Sequence, residues 1–80
     1  MENVMAYVSA SKFFFYMGNI KLAYKYWSKI YKVFDRYRVP FQKQQEIMRN
    51  FTDDEVYEIT DYGKEQYYAS AKLPDRYSSK

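Results

Sequence analysis

Eighty residues with a net charge of +3, eleven Tyr, six Phe and one Trp, and neither Cys nor His, make one small aromatic-rich domain. Its size is near the lower limit at which a chain buries enough surface to fold unaided. Without Cys there is no disulfide, thiolate nucleophile or zinc–thiolate site, and without His the commonest metal ligand and general base are missing. The expectation is therefore a non-enzymatic protein with no metal and no cofactor. Missing disulfides suit a reducing, cytoplasmic setting.

The net charge hides a strong asymmetry. From Lys12 through Arg49 there are nine Lys or Arg against two acids, Asp35 and Glu46. From Asp53 through Glu65 there are six acids against one base, Lys64. Segregation of this kind speaks to partners and docking more than the net value does.

Residues Glu2 to Met17 are apolar almost all round a helical wheel, as in a helix covered on several sides by other elements or partners. Ser9, Ser11 and Lys12 interrupt the run, which is too short to span a bilayer, so no membrane partner is expected. A signal peptide does not fit either, because the basic residue lies inside the apolar run and not before it. Gly18-Asn19 then closes one helix and caps the next, predicting a tight antiparallel hairpin.

The stretch Asn19 to Arg38 splits cleanly at about 100° per residue. Ile20, Ala23, Tyr24, Trp27, Ile30, Tyr31 and Phe34 fall on one side, flanked by Leu22, Tyr26, Val33 and Tyr37. Opposite them Lys21, Lys25, Lys29, Lys32 and Arg36 converge on a strip about 80° wide, with Asp35 at its edge. The spacing of Tyr7, Ser11, Phe14, Gly18, Ala23 and Trp27 resembles one tetratricopeptide repeat over residues 7–34. Ile30 stands where that family prefers alanine, and Asp35 where it often has proline. A second copy one period later fails beyond Phe41 and Met48, so the spacing reads as close-packed hairpin chemistry and not as a solenoid.

Pro40 stops the second helix and suits the first turn of a short third one, to about Asn50, anchored by Phe41, Ile47, Met48 and Phe51. Thr52 and Glu55 form a capping box, with Phe51 and Val56 at the staple positions of a fourth helix. Val56, Ile59, Gly63, Tyr67 and Ala71 make its apolar stripe. Gly63 either admits a close neighbour or breaks that helix near Tyr62. The words V-Y-E-I-T-D-Y-G-K also resemble the strand-then-helix ending of a winged-helix domain, which the capping box argues against. The fold class expected is all-α: about four helices in a single domain over residues 1–73, built on the N-terminal hairpin, then a flexible tail over 74–80.

The candidate site is the basic strip (Lys21, Lys25, Lys29, Lys32 and Arg36) with the nearby Tyr26 and Tyr37. Like charges three and four apart cost a few tenths of a kcal/mol per pair, so a helix serving solubility alone would intersperse acids. The bland alternatives are a solvated face, or neutralisation by the acidic segment of helix four. As a functional face, the strip suits the acidic surface of a larger protein, which the small chain would modulate or inhibit. The alternative is nucleic acid, with lysines on phosphates and the two tyrosines stacked on unpaired bases. A homodimer is compatible with either.

Overall fold

The computed structural model describes residues 3–71. They form four helices and no strand: α1 (Val4–Tyr16), α2 (Ile20–Arg36), α3 (Phe41–Met48) and α4 (Asp53–Ala71). The expected domain end at residue 73 and the tail over 74–80 lie outside the described residues.

Each boundary has a local chemical cause. The Asn3 side chain caps α1 by accepting from Ala6 N, and Asn19 caps α2 by accepting from Leu22 N at 3.1 Å. Between them Gly18, at φ 82°, closes α1. Asn19 N donates to Phe14 O at 2.8 Å and Gly18 N to Phe15 O at 3.1 Å, the paired bonds of a Schellman ending. The hairpin follows directly from this turn.

The same ending recurs at α2, this time without glycine. Val39 N donates to Phe34 O at 3.0 Å and Arg38 N to Asp35 O at 3.3 Å, with Arg38 at φ 50°. A side chain in this left-handed conformation is strained. Arg38→Gly is therefore expected to raise stability by roughly 0.5–1 kcal/mol, seen as a higher denaturant midpoint at unchanged slope.

The hairpin closes where side chains are smallest. Ser11 and Ala23 are both fully buried, and the Ser11 hydroxyl donates to Ala23 O at 2.8 Å. Around this crossing the core collects Val4 and Val8 of α1; Trp27, Ile30, Val33 and Phe34 of α2; Ile47; Phe51; and Ile59 of α4. Trp27 meets Phe51 edge-on at 4.9 Å between ring centroids. The apolar side of α2 is the centre of the core, as its periodicity predicts, except that Tyr31 sits on the exposed side of Phe34.

Helix α4 runs unbroken through Gly63, and the Tyr24 ring lies where a side chain at this position would be: a Cβ there would overlap Tyr24 Cε1. Glycine thus lets α2 and α4 approach. Alanine at this position gains up to about 1 kcal/mol of helix propensity but must displace the ring. In a double-mutant cycle, Gly63→Ala is expected to stabilise a Tyr24→Ala background by about 1 kcal/mol more than it stabilises the parent chain.

Two expected core residues are not in the core. Phe41 is 70% exposed, because it opens α3 directly after the Pro40 cap on the solvent side, and Ile47 alone of that helix is buried. Tyr67 is also 70% exposed. It borders an open groove beside Tyr24 and Trp27, at the rim of the contact between α2 and α4 and not inside it. Helix α1 is not covered all round either, since Met5, Phe13 and Met17 remain exposed.

Candidate functional site

On α2 the steps of three and four residues that bury Ala23, Trp27, Ile30 and Phe34 set the lysines on the opposite side. Lys21, Lys25, Lys32 and Arg36 are exposed, and Lys29 is half-buried. Among the described residues, none of Lys21, Lys25, Lys29 and Lys32 lies within ion-pair distance of a carboxylate. The acidic segment of α4 forms no direct ion pair with these four.

The two tyrosines grouped with the strip differ in role. Tyr26 is half-buried, its ring stacked on Phe14 at 5.7 Å and tilted against Tyr7 at 6.3 Å. The ammonium of Lys25 lies 5.9 Å from the same ring. Tyr26 is therefore a packing residue that joins α1 to α2, with its ring already engaged. Tyr37 caps the C-terminus of α2 and is exposed beyond Arg36.

Tyr62 stands at a divide. On one side a groove of about 470 Å³ is bordered by Lys21, Leu22, Tyr24, Lys25 and Gln66. On the other, a groove of about 460 Å³ is bordered by Phe15, Ile20, Tyr57, Glu58, Asp61 and Glu65. One tyrosine thus separates a basic surface from an acidic one. Glu58, Asp61 and Glu65 form no ion pair among the described residues.

One acid of α4 is engaged, and by α1. Glu55 is 2% exposed. Its Oε1 accepts from Thr52 N at 2.8 Å and from Lys12 Nζ at 3.1 Å, and its Oε2 accepts from the Tyr16 hydroxyl. The capping box is complete, since Glu55 N bonds Thr52 Oγ1 at 3.2 Å. Lys12 also donates to Asn50 O at 2.6 Å and lies 5.4 Å from the Phe51 ring centroid. Burial pushes the Glu55 carboxyl up, but the bonds from Tyr16, Thr52 and Lys12 and the lysine's charge outweigh it and hold the carboxyl below the usual range. The Tyr16 hydroxyl is pushed up, first by its bond to Glu55, then by burial and by the carboxylate's charge.

This trio went unnoticed in the sequence, although Lys12 as the lone cation of an apolar run was a signal. Its chemistry is structural: every oxygen of Glu55 is occupied, and neither groove beside Tyr62 is bordered by any of the three. Among the described residues no cluster of three or more acids is placed to hold a metal ion, and no helix is long and apolar enough to cross a membrane. No family model matches the chain, and no curated protein or solved structure matches it.

Proposed function

We propose that this protein is a small non-enzymatic interaction module that docks the lysine face of α2 on the acidic surface of a larger protein and modulates or inhibits it, in a cytoplasmic setting. The observation that carries this reading is the set of four lysines with no carboxylate partner among the described residues, on one side of the helix whose other side forms the core. The helix backbone that carries this face is already ordered, so binding costs the freedom of the lysine side chains alone, and their charge accelerates encounter with an acidic patch. The groove beside Lys21 and Lys25, with Leu22, Tyr24 and Tyr62 on its walls, offers an apolar step next to the charge, as binding sites need.

Nucleic acid is the second reading, favoured by the same lack of acids within the strip. Against it, the Tyr26 ring that would stack on a base is already stacked on Phe14. The test is an affinity capture from the native host with and without nuclease, using the parent chain and Lys25→Glu/Lys29→Glu. The expected result is one acidic protein in stoichiometric amount, retained after nuclease and lost at least tenfold with the double variant. Capture of nucleic acid alone, or a protein held equally by the reversed variant, overturns the proposal.

A further inference from the structure

We infer that, when no partner is present, a second copy of this chain covers the lysine face, seating it in the acidic groove of α4 in a reciprocal pair. Two surfaces of opposite charge lie on one molecule and form no ion pair with each other. Lys21, Lys25 and Lys29 face one side of the molecule and Glu58, Asp61 and Glu65 line the groove across Tyr62, with no ion pair among these six. Both sets are arranged along helices over similar lengths: Lys21 to Lys29 rises about 12 Å and Glu58 to Glu65 about 10 Å at 1.5 Å per residue. Two such helices lying side by side bring three ammonium groups against three carboxylates.

The groove is also built to take lysine stems. Phe15, Ile20, Tyr57 and Tyr62 line it with apolar and aromatic surface, against which methylene chains pack while the charged ends reach the carboxylates. A two-fold pair uses both surfaces of both copies, leaving no free end from which a chain of molecules would grow. Contacts made chiefly of exposed ion pairs are weak and salt-sensitive, so the pair forms and dissociates readily. Pairing occupies the face assigned to the acidic partner. Self-association therefore competes with partner binding, and the α4 groove acts as a built-in stand-in for the partner's surface.

The test is sedimentation equilibrium of the full chain at ionic strengths of about 0.01 M and about 1 M, between which the screening length shrinks from roughly 30 Å to roughly 3 Å. The expected result is a doubling of the 9.8 kDa mass at low salt and a monomer at high salt. Lys25→Glu/Lys29→Glu and Asp61→Lys/Glu65→Lys should each be monomeric at low salt, and their equimolar mixture should restore the doubled mass, because each reversed surface then meets its opposite. A parent chain that is monomeric at low salt overturns the inference. So does a pair that persists at high salt or in both variants, which would place the contact on apolar surface such as the exposed Met5 and Phe13 of α1 and the Met17 that follows it. Failure of the mixture to pair overturns it as well. The parent chain's salt response decides the matter even where a variant folds poorly. The inference rests on the same lysines as the proposed function, but the two fail separately: Asp61→Lys/Glu65→Lys retains the lysine face, so it should lose self-association and keep partner capture.

Discussion

Glu55→Ala is expected to remove about 2–3 kcal/mol of folding stability, lowering the thermal midpoint by roughly 10–20 °C. A domain of this size is held by roughly 4–12 kcal/mol in all. Three losses combine: the capping box at the start of α4, the hydrogen bond from Tyr16, and the ion pair with Lys12 across 43 residues of chain. The estimate stays below that for a fully buried pair because the Lys12 side chain is 30% exposed and water can take over part of its solvation. Glu55→Gln keeps an acceptor for Thr52 N and should cost about half as much, separating the charge from the hydrogen bonds.

The same group sets the acid limit of the fold. Folding holds the Glu55 carboxyl below the usual range, so its contribution is complete above the ordinary glutamate value of about 4.3 and is lost as pH falls through the lower folded value. In Lys12→Met the carboxyl loses the cation that holds it down, and acid unfolding should begin at a higher pH. Tyr16 works in the opposite direction. Folding raises it, so its contribution is complete below about pH 10 and is lost as pH rises through the higher folded value. Chemical denaturation followed across pH should show both limits in the parent chain, and Tyr16→Phe should weaken the alkaline one, leaving the share of Tyr31, whose hydroxyl burial also pushes up.

Ala23→Leu is expected to cost about 3 kcal/mol. Ala23 has no exposed surface and its carbonyl lies 2.8 Å from the Ser11 hydroxyl, so an isobutyl group can be accommodated only by separating α1 from α2. The remaining core residues converge on α2 and would lose contact together. Ser11→Ala provides the contrast. It removes one hydrogen bond but leaves Ala23 O within the helix's own hydrogen-bond ladder, so it should cost roughly 1 kcal/mol. Equilibrium unfolding of the two variants measures the difference between filling the crossing and merely removing a bond from it.

What could be read before the structure was local. Gly18-Asn19 and the Thr52–Glu55 box are chemical signals contained within a few residues, and both produce the predicted helix boundaries. The apolar face of α2 was legible because five of its residues are buried at steps of three and four. Arg38 was not legible as a left-handed residue, since nothing in its side chain asks for positive φ; it accompanies the bonds of Arg38 N and Val39 N that close α2 and the packing of Val39 against the core. Phe41 and Tyr67 were misassigned because hydrophobicity alone does not say which part of a helix its neighbours cover. At the candidate site, the lysine positions were evident from periodicity. Whether acids reached them depended on the packing of α4 on α2, a tertiary fact, and the one acid that found a cation found Lys12 of α1.

Trp27 gives this protein its own optical gauge. It is the only tryptophan among eleven tyrosines, and it is buried with its ring 5.6 Å from Tyr31 and 4.9 Å from Phe51. In the folded chain, light absorbed by nearby tyrosines passes to this one indole, so tyrosine emission is suppressed and indole emission dominates. When the hairpin opens the donors move away, tyrosine emission recovers, and the indole band shifts to the red as water reaches the ring. The ratio of the two bands reports packing around the hairpin without any attached label.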